Sequence, residues 1–330
     1  MSRLATTILL FGFLLFILFW RLDEPSGPLS RTRMLMGTVV EIRVDDPEPE
    51  RFRDAVTAAF DEMARIERLM SLHLAKSEVS RISRAGEPVE VSAETATVLR
   101  TALKVSVASD GAFNPGLGRL IRLWGFTDGE PRVPSKMEIE EALVGIGPES
   151  LTLEDGKLFK SDRSITIDLG GVAKGYAIDR AVEMLSAAGV KHASVNAGGD
   201  LRLLGDRDGT PWRIGIQHPR KKDAVLATLS VADRAVVTSG DYERFFEQAG
   251  RRYHHILDPY TGYPAERCQE VTVVADSAAL ADALATAAFV LGPEKGLELL
   301  QKTEKVEGLI VAADGQVVFT SGLQEIVQWP

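Results

Sequence analysis

Short segments rich in β-branched residues follow one another in the second half of the sequence, with no helical segment between them. These segments span residues 193–196, 200–204, 212–217, 225–231 and 235–239. Neighbouring parallel strands need a long crossover, usually a helix, whereas antiparallel strands can be joined by short turns. The order of the segments therefore predicts mixed or antiparallel sheets with the helices segregated from the strands, which is an α+β fold.

Apolar residues at helical spacing predict helices elsewhere in the chain. They span residues 51–72, 91–109, 172–188 and 277–291, and Ser92 is the expected N-cap of the second. Further apolar segments predict strands at residues 39–44, 164–168, 252–257, 271–275, 308–312 and 317–320. Residues 111–116 contain two glycines and a proline and predict a loop. The sequence has no internal repeat.

The N-terminal stretch from Leu4 to Trp20 holds 17 residues without a charge. It approaches the ~20 residues that cross a bilayer, and it is apolar on every side, unlike an amphipathic core helix. The residues Phe-Trp-Arg-Leu at 19–22 follow it, where signal-peptide cleavage would need small side chains. We therefore predict an uncleaved membrane anchor. The charges that flank the stretch do not fix its orientation.

The composition limits the partners of the chain. Lysine and arginine number 38 against 47 acidic residues, a net charge of −9, so a nucleic-acid partner is not expected. The one cysteine, Cys268, excludes an intramolecular disulfide and a CxxC zinc site. We predict that residues 1–30 form the anchor with a linker and that residues 31–330 form one folded domain.

The predicted helix that ends at Leu291 contains only two polar residues from Ala278 onward. Asp282 and Thr286 are four positions apart, so they lie on one face, one turn from each other. A carboxylate in such an apolar helix needs a partner to offset its lost hydration. One interpretation pairs Asp282 with an arginine from another element. The other gives both oxygens to a divalent cation such as Mg²⁺, which prefers oxygen ligands.

A glycine pair follows Asp168, where a strand is predicted to pass into a helix. Gly170 and Gly171 allow a close approach to the backbone, and Lys174 follows in the first turn. The N–H groups at a helix N-terminus bind phosphate, so this segment is a candidate phosphate site. Neither a P-loop nor a GxGxxG motif is present. Residues 194–200 also end a strand with two glycines, a pattern that ordinary hairpins share.

Two adjacent histidines precede the Asp-Pro turn at residues 258–262. Successive strand residues point to opposite faces, so at most one of His254 and His255 faces a cleft. A lone histidine is more often a packed or solvated residue than a general base, and the residues alone leave this choice open. The chain has no Gly-x-Ser-x-Gly elbow and no His-Glu-x-x-His motif, which argues against a serine hydrolase or a zinc protease.

Seven short motifs occur in order along the chain. They are Met36–Thr38, Asp110–Pro115, Asp168–Gly175, Asn196–Asp200, Thr238–Gly240, His255–Gly262 and Ala281–Thr286. In this combination they resemble the ApbE family, the FAD:protein FMN transferases, from about residue 33 to about residue 320. The resemblance implies an ApbE-like form of the α+β fold.

The resemblance also implies a chemistry and a location. A member of this family binds FAD and Mg²⁺, breaks the pyrophosphate and releases AMP. It attaches FMN through a phosphodiester to a threonine or serine of a partner flavoprotein, such as a subunit of an electron-transfer complex. The family usually works on the periplasmic side of the inner membrane, which fits the predicted anchor.

Particular residues match the positions of the family motifs. The implied metal ligands are the backbone carbonyl of Gly171 with Asp282 and Thr286, and His255 matches the position proposed to activate the incoming hydroxyl. The residues implied to line the flavin nucleotide are Met36, His73, Ala112, Phe113, Asn114, Asp168, Lys174 and Leu257. The chain reads Ser-Leu-His at 71–73 where the family usually has Ser-Thr-Tyr, so His73 replaces a ring that contacts FAD.

Two other functions fit the same motifs. One is a Mg²⁺-dependent FAD pyrophosphatase, in which water takes the place of the protein hydroxyl and the products are FMN and AMP. The other is a flavin-binding module without turnover, which the presence of both Asp282 and His255 disfavours. Because the nucleophile comes from outside the chain, the sequence does not separate transfer from hydrolysis.

Overall fold

The computed structural model describes residues 27–86, 88–126, 129–207 and 209–330. The predicted anchor, Leu4 to Trp20, lies outside these residues. Among the helices of the described ranges, none combines the length and the apolar character that crossing a membrane requires. The first strand begins at Leu29, inside the predicted linker.

Strands and helices alternate in blocks along the described residues. The strands are β1 (Leu29–Leu35), β2 (Thr38–Val44), β3 (Val89–Glu90), β4 (Leu151–Glu154), β5 (Lys157–Lys160), β6 (Ala193–Ala197), β7 (Asp200–Leu204), β8 (Trp212–Gln217), β9 (Val225–Val231), β10 (Ala235–Gly240), β11 (Phe245–Gln248), β12 (Arg251–His254), β13 (Cys268–Ala275), β14 (Glu307–Ala312), β15 (Val317–Phe319) and β16 (Val327–Gln328). The α-helices are α1 (Arg53–Met70), α2 (Glu78–Arg84), α3 (Ala93–Ala108), α4 (Gly118–Leu123), α5 (Lys136–Ala142), α6 (Gly170–Ala187), α7 (Ala278–Leu291) and α8 (Pro293–Lys302).

One large antiparallel sheet organises the molecule. Its eight strands lie in the order β1-β2-β6-β7-β10-β13-β14-β15. Every neighbouring pair runs antiparallel. The connections that contain α6 and α7 carry these helices across one face of the sheet. The predicted α+β architecture is confirmed, with antiparallel rather than mixed strands in this sheet.

Helices cover one face of the large sheet and a small sheet covers the other. The apolar faces of α1, α3, α6, α7 and α8 join the strands in the main hydrophobic core. The small sheet, in the order β16-β9-β8, packs on the second face through Trp212, Ile216 and Leu229. Because β13 is covered on both faces, all of its residues are buried.

Helix α7 packs closely against α6. Ser277 caps α7, its Oγ accepting the N–H of Leu280 at 3.3 Å. Asp179 of α6 accepts the N–H of Ala278 at 2.8 Å. Gly175 permits the approach, because a Cβ there would collide with the carbonyl oxygen of Ala278. These contacts fix the register between the two helices that carry the predicted metal ligands.

A separate hydrophobic cluster holds the chain after His255. Leu257 packs with Leu120 and Trp124, and Trp124 Nε1 donates a hydrogen bond to the carbonyl oxygen of Gly262 at 2.9 Å. The Asp-Pro turn is therefore fixed against α4 and α5.

Some local predictions are wrong. Residues 164–168 do not form a sheet strand, since Thr166 makes a single bridge to Leu117 and neighbouring backbone groups bond the same loop. The strand predicted up to residue 257 ends at His254, so His255 belongs to the following turn. The sequence pattern did not predict strand β1, because the polar residues of this strand are exposed at the sheet edge.

Candidate active site

The predicted metal ligands meet where α6 begins beside α7. Helix α6 bends at Gly171, whose φ of −86° and ψ of 17° depart from helical values. The N–H of Gly175, the regular helical donor to the Gly171 carbonyl, donates to Asp282 Oδ2 at 3.2 Å. Because the Gly175 N–H donates to Asp282 at this bend, we infer that the Gly171 carbonyl oxygen can accept a ligand.

Thr286 lies against the same bend. A Cβ on Gly171 would lie 3.4 Å from Thr286 Oγ1. The same oxygen lies 3.5 Å from the Oγ of Ser239 on β10. Asp282, one turn earlier on α7, is only 5% exposed. The structure therefore brings Gly171, Asp282 and Thr286 together.

One ammonium and two further carboxyl groups surround this oxygen set. Lys174 Nζ pairs with Asp200. Burial alone would lower the pKa of Lys174, but the charges of Asp200, Asp282 and Glu243 raise it above its ordinary value. Burial raises the pKa of Asp282, against the opposing charge of Lys174. Burial likewise raises the pKa of Glu243 to about 7. The excess of acidic groups favours a bound cation.

The charge partner of Asp282 is not an arginine. In the ranges that the structure describes, no arginine forms an ion pair with it, and the positive charge that acts on it is that of Lys174. Those ranges also contain no group of three or more His, Cys, Asp or Glu side chains able to hold a metal. A cation here would have one carboxylate together with hydroxyl and carbonyl oxygens, a set that suits Mg²⁺ with its retained waters.

The loop of Ala112, Phe113 and Asn114 packs against the start of α6. All three residues are buried, and a Cβ on Gly171 would lie 3.0 Å from Phe113 Cε2. Asn114 uses its side-chain amide within the fold, donating to the carbonyl oxygen of Gly147 at 3.0 Å. Phe113 therefore closes one side of the oxygen set, while Asn114 holds the loop in shape.

Asp168 is a half-buried carboxylate just before α6. Its Oδ1 accepts the N–H of Gly170 at 2.6 Å. Burial raises the pKa of Asp168, whereas the Gly170 N–H and the charges of His73, Arg244 and Arg122 lower it. His73 and Asp168, both predicted to line the flavin nucleotide, therefore lie close together, and positively charged side chains lie near Asp168.

The turn at Met36 and Gly37 lies beside the same arginine. Met36 has a φ of 53°, and its N–H donates to a glutamate of α1 at 2.9 Å. A Cβ on Gly37 would lie 3.6 Å from Arg244 Nη2. Gly198 packs so closely on Thr38 that a Cβ would collide with the threonine hydroxyl. The turn after β1 and the turn after β6 thus meet at one end of the strands of the large sheet.

The two histidines point in different directions. His254 is buried, with Nε2 donating to the carbonyl oxygen of Ala265 at 2.7 Å and its ring 5.5 Å from that of Phe289. His255 is half-buried, and its Nδ1 donates to the carbonyl oxygen of Arg244 at 3.3 Å, so Nε2 carries the lone pair. Burial, with the charge of Arg244, lowers the pKa of His255 to about 3. Its imidazole is therefore neutral near neutral pH.

A cleft of about 700 Å³ opens beside this cluster. Its walls come from the turn between β6 and β7, from β8, from β10 and from the segment after β10. The predicted motifs contribute Gly37, Thr38, Lys174, Asn196, Gly198, Gly199 and Thr238 to its lining. The cleft can therefore hold a ligand in contact with Lys174.

Glu243 and Arg244 are functional candidates that sequence reasoning missed. They follow the motif that ends at Gly240 in a charged segment typical of a solvated turn. In the fold, the Arg244 carbonyl holds His255, and its guanidinium approaches Gly37. Closeness to the motif was the only signal in the sequence. Leu257, by contrast, packs in the hydrophobic cluster behind the turn, and its contact with the flavin stays a prediction.

Comparison with known proteins decides the family. The model of the ApbE family matches residues 36–310. This chain belongs to the ApbE family. A protein of Vibrio cholerae named FAD:protein FMN transferase is 34% identical over 300 residues, which cover 88% of this chain and 90% of the relative. A protein of Treponema pallidum with the same name is 34% identical and covers 91% of this chain and 88% of the relative.

Solved ApbE structures share the fold. The ApbE protein of Thermotoga maritima matches with a TM-score of 0.84 and 38% identity, over 91% of this chain and 99% of that one. The flavin transferase ApbE of Vibrio cholerae matches with a TM-score of 0.81 and 31% identity, over 92% of this chain and 100% of that one. The resemblance seen in the motifs is confirmed.

Proposed function

We propose that this protein transfers FMN from FAD to a threonine or serine hydroxyl of a partner flavoprotein, with Mg²⁺ bound, and releases AMP. The observation that carries the proposal is the oxygen set of Gly171, Thr286 and the buried Asp282 beside Lys174, at the start of α6. The names of the relatives support the same activity.

The oxygen set fits Mg²⁺ in number and type. One carboxylate, one hydroxyl and one carbonyl leave positions for water and for phosphate oxygens. The neighbouring carboxyl groups of Asp200 and Glu243 add negative charge that Lys174 alone does not balance. When bound, Mg²⁺ would shield the charge of the pyrophosphate and stabilise the leaving group.

Lys174 and the N-terminus of α6 provide positive groups for the phosphates. The raised pKa of Lys174 keeps its ammonium charged. The N–H groups of the first helical turn and the helix dipole favour an anion at this end. A protein with a net charge of −9 needs such local groups to hold an anionic nucleotide.

The other predicted site residues lie around the start of α6. They support binding of a flavin nucleotide next to Lys174. We assign contacts with FAD to Met36, His73, Phe113 and Asp168, which lie near Arg244 or against the bend of α6. Ala112, Asn114 and Leu257 are buried and would act through their backbone or by packing. Because His73 replaces an aromatic phenol, we expect weaker stacking there.

The proposed reaction exchanges the pyrophosphate bond of FAD for a phosphodiester bond to the acceptor. The acceptor oxygen forms a bond to the phosphorus of the FMN part, and the bond from this phosphorus to the bridging oxygen of the AMP part breaks. The hydroxyl proton passes to Nε2 of His255, and AMP leaves with the bridging oxygen. The Arg244 carbonyl fixes the tautomer that this role needs.

We further propose that residues 4–20 anchor the protein in the inner membrane, with the folded domain on the periplasmic side. The support is the uncharged apolar stretch of the sequence. Protease treatment of intact and opened cells tests the side: the domain should be digested once the outer membrane alone is permeable. Digestion only after the inner membrane is opened would place it on the other side.

The test of the proposed activity is incubation of the full chain with FAD, Mg²⁺ and protein fractions from its native cells. Mass spectrometry of the proteins should find FMN on a threonine or serine, and chromatography should find AMP. Free FMN with AMP, and no modified protein in any fraction, would assign the site to FAD hydrolysis instead. A chelator should abolish either reaction.

A further inference from the structure

Among the residues that the structure describes, strand β8 has one edge without a neighbouring strand. The small sheet has the order β16-β9-β8, so β9 covers only one edge of β8. In an antiparallel ladder, residues that bond the partner alternate with residues whose N–H and C=O point away from it. Ser230 of β9 donates its N–H to Ile326 at 2.8 Å, on the β16 side. Arg213, which lies opposite Ser230, therefore directs its backbone groups to the open edge.

The same alternation applies to Gly215, two positions further along β8. Within the ranges described, no hydrogen bond from outside the small sheet reaches the backbone of Arg213 or Gly215. All five residues from Arg213 to Gln217 line the cleft of about 700 Å³. Because successive side chains point to opposite faces, a strand shows five consecutive residues to one cleft only along its edge.

We propose that an extended segment of the acceptor polypeptide binds as an added strand on the open edge of β8. This inference rests on the proposed transfer of FMN to a protein. The same cleft is lined by Lys174, so a strand on this edge lies in one space with a group proposed to bind the phosphates. Main-chain hydrogen bonds supply affinity in such binding.

The charges near this edge are close to balance. Lys174 pairs with Asp200, and Arg244 stands in the same lining as Glu243. Main-chain hydrogen bonds along β8, rather than charge, are therefore expected to hold the segment.

A proline at position 215 tests the edge directly. Gly215→Pro removes the outward N–H and places the ring on the open edge, while the bonds between β8 and β9 are kept. We expect kcat/KM for transfer to the purified acceptor to fall about tenfold or more, mainly through KM. Gly215→Ala retains the N–H, and its Cβ would make an ordinary contact of 3.6 Å with Val225. Transfer by this variant should therefore exceed that of Gly215→Pro.

A second edge strand supplies the matched control. The carbonyl of Val39 on β2 accepts the N–H of Gly198 on the β6 side. By alternation Glu41 also points to β6, and Thr32, opposite Glu41, directs its N–H to the open edge of β1. Thr32→Pro therefore makes the same change at an edge outside the cleft lining. Its transfer rate should equal that of the wild type.

Amide hydrogen exchange of the wild-type chain gives an independent measurement, which stands even if Gly215→Pro fails to fold. Added acceptor should slow exchange at Arg213 and Gly215 and leave Thr32 unchanged. Equal transfer by the proline and alanine variants, or unchanged exchange on β8, would overturn the added strand while leaving the transferase activity in place. If no protein ever receives FMN, the proposed function fails and this inference fails with it.

Discussion

Two carboxylates near the start of α7, the half-buried Asp179 and the buried Asp282, have different partners. Asp179 accepts hydrogen bonds from Ser277 Oγ and from the N–H groups of Ala278 and Ala279. Among the described residues, Asp282 accepts a hydrogen bond only from the N–H of Gly175. Burial raises the pKa of both, so the difference lies in their bonds. Asp179 caps a helix, whereas Asp282 retains oxygen for a further ligand.

Asp282→Asn should abolish Mg²⁺ binding and transfer without unfolding the protein. A carboxyl group whose pKa is higher in the folded than in the unfolded state opposes folding at pH values above its unfolded pKa. Without metal, the free energy of unfolding at neutral pH should therefore not fall. Magnesium titration by calorimetry and denaturant unfolding measure the two effects. Thr286→Val should weaken binding less, because water can replace one neutral ligand.

Asp179→Ala is the matched control for Asp282. Loss of a helix cap costs about 1–2 kcal/mol, so this variant should unfold earlier in denaturant, while the folded protein should lose far less Mg²⁺ affinity than Asp282→Asn. A stable Asp179→Ala and an unfolded Asp282→Asn would reverse the two roles and reduce Asp282 to a structural residue.

His255→Ala should lower the FMN transfer rate about 10²–10⁴-fold, the usual contribution of a general base, with FAD affinity close to that of the wild type. Timed transfer assays measure the rate, and titration with FAD measures the affinity. His192→Ala is the control of the same residue type, at the far end of β6. His254→Ala would not serve, because its buried ring packs on Phe289.

The pH dependence offers a separate check on His255. Its pKa is lowered to about 3, so the imidazole stays neutral down to acidic pH. The transfer rate should therefore show no loss that depends on His255 between pH 7 and about pH 5. A loss centred near the ordinary histidine pKa, present in the wild type and absent from His255→Ala, would mean that the ring is solvated during the reaction.

The sequence predicts part of this site and not the rest, for a physical reason. Asp282 and Thr286 stand out because an apolar helix makes any polar residue conspicuous. Glu243 and Arg244 do not, because a charged segment after a strand usually faces water. Only the fold, which brings that segment to His255 and Asp168, gives them a role.

At the scale of elements, the approach of α6 to α7 holds the oxygen set together. Gly175→Ala should separate the helices, because the new Cβ would collide with the carbonyl oxygen of Ala278. We expect a loss of about 1–3 kcal/mol in the free energy of unfolding, together with weaker Mg²⁺ binding. Gly147→Ala is the control, since a Cβ there meets nothing within 4 Å. Equal stability and metal affinity in both variants would show that the approach is not required.

The elements that the sequence predicts best are those whose apolar residues pack in a hydrophobic core. Helix α3 begins after Ser92 as expected, and the Ser92 Oγ accepts the N–H of Thr95 at 3.2 Å. Strands β7, β8 and β9 have the predicted bounds. Elements at the margins were missed, among them β1 and the short helices α4 and α5, because exposed or short segments lack a clear apolar period.

At the scale of the whole molecule, the predicted anchor, if present, would determine where the enzyme works. The intact mass of protein extracted from membranes should include residues 4–20, because no small-residue cleavage site follows them. A mature chain that begins near residue 22 or later would contradict an uncleaved anchor. A chain that keeps these residues but appears only in the soluble fraction would contradict membrane attachment.

The whole molecule combines a helical layer that holds the oxygen set with a small sheet whose open edge faces the cleft. The central claim is that this protein transfers FMN to another protein and does not merely hydrolyse FAD. The most direct measurement is the ratio of FMN bound covalently to the acceptor to AMP released, by mass spectrometry and chromatography in one reaction with Mg²⁺. We predict one bound FMN for each AMP, with neither formed by Asp282→Asn. Release of AMP with free FMN and an unmodified acceptor would contradict it.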